Sequence, residues 1–234
     1  MLQRLSWKLM PKRQRQFLLG RMPVVDRQLV NRVLSSRVAF PAAFARRNCL
    51  FIHVPKCAGS SICEALFDTG ADGHIPLYWY EQQFPEQYAR SFKFAFVRDP
   101  LERAYSAYAY LRVHGAARRD RQAQELMLRY HDFDDFVSRW LHPENLRRQI
   151  HFVPQTDFLT DSLGGIGVDF LGRHETLAQD YRALSTRLGV DLPLPHVNAT
   201  RHRNAAPARS FCSEGTRRLV QRAYERDYEL LGYA

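Results

Sequence analysis

Long apolar runs are missing from this chain. No window of its 234 residues approaches the roughly 18 uninterrupted apolar positions of a membrane-spanning helix, so none is predicted. Pro11, Arg13 and Arg15 interrupt the N-terminus where the apolar stretch of a secretory signal would have to lie. Cysteine is scarce: Cys49, Cys57, Cys63 and Cys212 make no CxxC pair and no zinc-like spacing with histidine. They read as reduced thiols in a cytoplasmic protein rather than as a disulfide framework. Acidic residues are almost absent from the first 48 positions, where Asp26 faces eleven Lys and Arg. That segment alone accounts for the net charge of +10, because the rest of the chain holds 23 bases and 23 acids. A nucleic-acid-binding domain carries its cationic footprint on the folded body. This body is neutral in bulk, so the charge does not point to nucleic acid.

What remains has the composition of one globular domain: 45% hydrophobic and 25% charged residues, enough to bury a core and too apolar for global disorder. Two regions follow, a basic N-terminal segment at 1–48 and a main domain at 49–234. In the first, Leu29, Val30, Val33 and Leu34 recur at helical spacing between Pro23 and Pro41. They suit either a surface helix packed on the main domain or a basic amphipathic patch able to lie peripherally on the inner face of an anionic membrane.

From Cys49 the pattern alternates. Cys49–Val54 is an apolar run typical of a strand buried on both faces, and Phe92–Val97 (FKFAFV) is a second. Ser61–Phe67 reads as a helix. Asp99 supplies an N-cap and Pro100 the first position of a helix to about Val113. Asp120–Leu141 is mostly helical and Gly167–Leu171 is a third strand. Glu175–Leu188 is a helix closed by Gly189, and Ser213 opens a last helix. Strands alternating with helices imply an α/β fold, a central parallel sheet flanked by helices.

The turn after the first strand, Pro55–Ser61 (PKCAGSS), carries the first chemistry. Backbone N–H groups at a helix start are unpaired and the helix dipole favours an anion there. Gly59 would let the backbone approach that anion, and Ser60 and Ser61 add hydroxyls. Lys56 supplies a mobile charge able to follow charge developing on an oxygen. The loop is not a Walker A motif, because the lysine comes before the glycine and no Gly-Lys-[Ser/Thr] closes it. A nucleotide kinase or NTPase thereby loses its main support. A phosphatase-like Cys57 thiolate lacks the usual closing arginine, since position 63 is Cys63. A tight turn without ligand, or a non-catalytic protein docking through its basic arm, is the remaining alternative.

The second strand also ends in a polar cluster. Arg98 lies at the carboxyl edge of the sheet, where open α/β folds bind ligands. Arg103 and Ser106, three apart, are neighbours on the next helix. An arginine at a strand end, as Arg98 is, near a serine hydroxyl suits a phosphate dianion.

Taken together, His53–Ile62 and Phe96–Tyr108 resemble the two donor motifs of sulfotransferases that use 3′-phosphoadenosine-5′-phosphosulfate (PAPS), in particular the carbohydrate (family 2) branch and its bacterial relatives. The resemblance runs from Cys49 to the C-terminus through Phe152–Gln155, Phe170–Leu177, Asn198–Thr200 and Tyr224–Tyr233. It implies a P-loop-like domain. Lys56 would bridge the 5′-phosphate and the transferring sulfuryl group. The loop Lys56, Cys57, Ala58, Gly59, Ser60 and Ser61 would cradle the 5′-phosphosulfate, and Arg98 and Ser106 would hold the 3′-phosphate. Cys57 stands where the family often has threonine. The product would be 3′-phosphoadenosine-5′-phosphate and the acceptor a carbohydrate or glycoconjugate hydroxyl. The chemistry demands no metal.

The acceptor hydroxyl needs a base. His74, in Asp72–Pro76, has a suitable ordinary pKa, and the resemblance assigns a Gly-His element between the motifs to this work. Glu64 and Glu81 are the fallbacks. His53 reads as a satisfied, partly buried histidine. Tyr78, Trp79, Tyr80 and Phe84 could stack on a sugar, although core packing explains them more simply. Arg147, Arg148 and Gln155 could meet an anionic acceptor, or the arginines could simply face solvent.

Overall fold

The computed structural model describes residues 7, 9–35, 38–68, 73–114, 120–195 and 207–234. Helices α1 (Lys12–Gly20), α2 (Val24–Ser35) and α3 (Ala42–Arg47) precede strand β1 (Cys49–Ile52). Helix α4 (Gly59–Phe67) follows the PKCAGSS turn, and α5 (Leu77–Gln83) and α6 (Pro85–Arg90) lead to β2 (Phe92–Val97). Beyond it lie α7 (Pro100–His114), α8 (Arg121–Met127), α9 (Phe133–Arg139), and two single turns, α10 (Pro143–Leu146) and α11 (Thr156–Leu159). Strand β3 (Phe170–Arg173) and α12 (Leu177–Leu188) come next, then α13 (Ala208–Phe211), α14 (Glu214–Ala223) and α15 (Glu225–Leu231).

The strands form a parallel sheet in the order β1-β2-β3. Phe94 pairs with Phe51 on one side and Phe170 on the other, and Val97 with Arg173. All of β1 and the last four residues of β2 are buried, which is why both read as continuous apolar runs. Their carboxyl ends therefore lie side by side.

Elements begin where local chemistry dictates. Asp99 Oδ1 accepts from the Glu102 N–H at 3.0 Å and caps α7. Gly189 ends α12 in the left-handed region at φ 65°. Ser213 caps α14 by accepting from Thr216 N–H. Three expectations shift. The third strand starts three residues later than Gly167, because Ile166 bridges back to Thr160 and Gly167 N–H is held by Leu159 O, so the chain joins the sheet only at Asp169. The 120–141 stretch breaks at Leu128–Asp132, where Asp132 caps a new helix. The last helix divides at Tyr224, whose buried hydroxyl donates to Phe152 O at 2.8 Å.

One core cluster wraps the sheet and takes in Val24, Val25, Leu29 and Phe44 from the N-terminal helices. The other fills the space between α7, α8, α9 and α14 around Leu111, Met127, Phe136 and Val220. Helix α2 thus turns its apolar side into the protein, and Val24 N–H is fixed by Arg147 O at 2.8 Å. That apolar side is not available to a membrane.

Candidate active site

Three consecutive strand ends define one edge: His53 and the PKCAGSS turn after β1, Arg98 after β2 and His174 after β3. Between β1 and α4 the backbone enters the left-handed region at Lys56 (φ 68°) and again at Ala58 (φ 63°). Non-glycine residues rarely do this. Alternating the two hands turns successive N–H groups to one side, which makes an anion-binding concavity. Helix α4 starts at Gly59 with Ala58 as N-cap and no side-chain cap, so the positive end of its dipole faces the same concavity.

The loop side chains divide. Cys57 is buried, and its thiol points inward to Pro55 O at 3.6 Å and Gln155 Oε1 at 3.4 Å. Burial pushes its pKa up to about 12, so it is no thiolate. Its contribution to an anion is confined to the backbone. Ser60 is exposed and Ser61 buried. The packing gives a further reason for Gly59: a Cβ there would lie 1.9 Å from His53 Cδ2. The glycine admits the imidazole of His53.

Lys56 Nζ sits 3.9 Å from the centroid of the Tyr110 ring, a cation–π contact. Burial, and then the charge of Arg98, bring its pKa down to about 8. Two cations thus share one partly dry site, an arrangement that an anion would relieve. Arg98 is anchored through its backbone, its N–H to Gln155 Oε1 at 3.0 Å and its C=O to Gln155 Nε2 at 2.8 Å. Among the described residues its guanidinium makes a long contact of 3.8 Å with Glu102. Arg98, Glu102, Ser106 and Tyr110 follow one another at intervals of four, so Ser106 falls on the α7 face that runs from Arg98 to the Tyr110–Lys56 contact. Arg103 goes the other way. It is fully buried and donates to His151 O (3.1 Å) and Val153 O (2.9 Å), a structural role in the core.

His74 meets the loop from its other side. Its Nδ1 lies 2.9 Å from His53 O, and a carbonyl can only accept, so Nδ1 carries the proton. In the neutral ring the lone pair is therefore on Nε2, the arrangement a general base needs. The His74 and His53 rings are 4.4 Å apart, His74 and His151 6.5 Å, and His151 and Tyr110 5.7 Å. Lys56, Tyr110, His151, His74 and His53 thus form a continuous array around the turn, which brings His74 and Lys56 into one site. His53 is not the satisfied histidine its position suggested. Its buried Nδ1 has no hydrogen-bond partner among the described residues, and burial, then His74 and His151, hold it neutral well below the usual histidine pKa.

Of the fallback bases, Glu81 is engaged, accepting from Ser162 N–H and Oγ–H at 2.9 and 2.8 Å. Glu64 is exposed on α4. Trp79 and Tyr80 are core residues and Phe84 packs on Trp79 at 5.5 Å, so this cluster is packing. Arg147 forks onto Asp157 at 2.7 and 2.9 Å and Gln155 is fully buried, so neither is offered to an acceptor. Asp72 and Asn198–Thr200 lie outside the described residues.

Three residues of the site were not singled out in the sequence. Tyr110 could have been found as the position four beyond Ser106. His174 extends the β3 ladder by donating its N–H to Val97 O at 2.7 Å, which sets it beside Arg98. Burial and then Arg98 lower its pKa to about 4, so it is a neutral side chain at the edge. His151 carried no local signal.

Carbohydrate sulfotransferase 10 of Xenopus laevis is 26% identical over 180 residues, covering 65% of this chain and 50% of that protein. The chain therefore spans about half the length of the curated relative it matches. No solved structure matches. The profile of the Sulfotransferase family matches residues 44–234, a span that contains the PKCAGSS turn, Arg98, Ser106 and His74, and the chain belongs to that family.

Proposed function

We propose that the chain transfers a sulfuryl group from PAPS to a hydroxyl of a carbohydrate or glycoconjugate. The observation that carries the proposal is the pair of cationic side chains at adjacent strand ends, Lys56 on an uncapped helix start and Arg98 beside it, with a correctly protonated histidine in the same array. The concavity fits the 5′-phosphosulfate of the donor. Lys56, the N–H groups of Cys57 to Ser61 and the Ser60 and Ser61 hydroxyls are its proposed contacts. Arg98 and Ser106 are the proposed 3′-phosphate contacts, and His174 is a neutral neighbour of Arg98.

In the proposed reaction the acceptor oxygen forms a bond to sulfur as the bond between sulfur and the bridging phosphate oxygen breaks. The hydroxyl proton passes to His74 Nε2, and the bridging electrons leave on 3′-phosphoadenosine-5′-phosphate. Lys56 neutralises that developing charge. The carbohydrate acceptor is supported by the likeness to a carbohydrate sulfotransferase. A cytoplasmic location is supported by four free, buried cysteines.

Calorimetry with 3′-phosphoadenosine-5′-phosphate and adenosine 5′-phosphate tests the donor site. The bisphosphate should bind more tightly, and Arg98→Ala should erase most of the difference, about 1.5–3 kcal/mol for hydrogen bonds to a charged group. Equal binding of both nucleotides by the unaltered protein would remove Arg98 and Ser106 from this role. His74→Ala should bind nucleotide normally and lose turnover by about 10²–10⁴-fold. Near-normal turnover would move the base to Glu64.

A further inference from the structure

The segment before the sheet holds a surface that the donor chemistry does not use. Helix α1 buries none of its residues. Leu9, Phe17, Leu18 and Met22 are 76%, 58%, 44% and 40% exposed. Among the described residues, the other exposed large apolar side chains, Val113, Leu128, Leu163, Phe211 and Leu230, are scattered singly and need no explanation. Clustering within 14 positions is different. Met10, Arg13, Gln14, Phe17 and Leu18 follow one face at helical spacing and line an open depression of about 360 Å³.

Charge says what covers this face. The first 25 positions hold six bases (Arg4, Lys8, Lys12, Arg13, Arg15 and Arg21) and no acid. The Arg21 guanidinium lies 4.0 Å over the Phe17 ring, so the stem and ring share the apolar side while the charge stays at its margin. A second copy docked on this face about a twofold axis would set Lys12 and Arg13 against their own copies, a like-charge arrangement. A surface of anionic headgroups satisfies both halves. Among the described residues no helix is long and apolar enough to cross a membrane, so the contact is one of lying on the surface. Helix α2, held in the core by Val24, Val25 and Leu29, ties such a contact to the body.

We propose that α1 docks on a lipid surface bearing anionic headgroups, with Phe17, Leu18, Leu9 and Met22 entering the acyl boundary and Lys12, Arg13 and Arg21 meeting the headgroups. This surface contact is independent of the donor site. Its test is sedimentation of the full chain with vesicles of phosphatidylcholine alone and of phosphatidylcholine mixed with phosphatidylglycerol. Binding should be confined to the mixed vesicles. Each neutralised base should weaken it about fivefold, the equivalent of ~1 kcal/mol, so Lys12→Gln with Arg13→Gln should lose about 25-fold. Phe17→Ser with Leu18→Ser should also abolish most binding while leaving thermal stability and nucleotide affinity unchanged, because both side chains are exposed. Equal binding to neutral vesicles, no binding to either, or variants that bind like the parent would overturn the proposal. Concentration-dependent self-association abolished by the serine pair would also overturn it, in favour of a dimer contact.

Discussion

Donor binding should depend on pH through Lys56, with a magnitude that follows from its surroundings. Burial and Arg98 hold this lysine at about 8 in the ligand-free protein. A lysine titrating near 8 is about nine-tenths charged at pH 7 and about one-tenth charged at pH 9. If the charged form is the one that binds an anion, the association constant falls about tenfold between those values, close to 1.4 kcal/mol. The sign is fixed by the charge: affinity is full below the lysine's pKa and is lost as pH rises through it. The ligand does not share this window, because the second ionisation of a phosphate monoester lies near pH ~6. His174, at about 4, is neutral throughout it.

Calorimetric titration with 3′-phosphoadenosine-5′-phosphate at pH 7, 8 and 9 reads the effect directly. Repeating the titration at pH 8 in two buffers of different ionisation enthalpy should show uptake of about half a proton, as linkage requires when a half-charged lysine becomes fully charged. Lys56→Arg is the control, since a guanidinium keeps its charge across the range. Whatever its absolute affinity, that variant should have a flat profile. A flat profile in the unaltered protein, or the same fall in Lys56→Arg, would refute Lys56 as the cation that meets the donor.

The same crowding implies that the empty site costs stability. Depressing a lysine from 10.5 to about 8 corresponds to about 3 kcal/mol of disfavoured charge at neutral pH. Lys56→Met should therefore raise the melting temperature at pH 7 while abolishing nucleotide binding, and a lowered melting temperature would contradict the burial argument. Asp227 is fully buried; burial raises its pKa, while Arg103 and the N–H groups of Thr156 and Gln155 oppose that. Asp227→Asn should cost about 3 kcal/mol or more in chemical denaturation, because it leaves the buried Arg103 without that charge and sets an NH₂ against an N–H. Gln155→Leu should cost about 2–4 kcal/mol, since it orphans both backbone groups of Arg98. It should also weaken bisphosphate and monophosphate binding together, unlike Arg98→Ala, which acts on the bisphosphate alone.

How much of this could be read from the sequence depends on the range of the interactions. The first two strands, the Asp99–Pro100 helix start and the Gly189 helix end were legible, since each rests on residues within a few positions of one another. The turn and its lysine were legible for the same reason. The third strand was misplaced because a bridge between Thr160 and Ile166 takes up the chain just before it, and apolar pattern alone does not register a bridge. The anchoring of Arg103 was not legible either, because its partners, the backbone carbonyls of His151 and Val153, lie some 50 residues away in the chain.

Gln155 carries the point furthest. In the sequence it was a polar residue with a conceivable acceptor role. In the fold its side chain bonds the backbone of Arg98 on both sides and receives the thiol of Cys57, partners 57 and 98 positions away. Its own N–H, and that of Thr156, are held by Asp227 at 2.8 and 2.9 Å. The turn that bears Lys56 and the strand end that bears Arg98 are thus locked together by one buried amide, which is fixed in turn by a buried carboxylate from α15. A short amide can do this because it donates and accepts at once, which a hydroxyl could match only over a shorter reach and a carboxylate not at all. The spacing of the two cations is therefore set by a side chain that need not touch a ligand, and the separate losses expected from Gln155→Leu and Arg98→Ala distinguish holding the site in shape from binding within it.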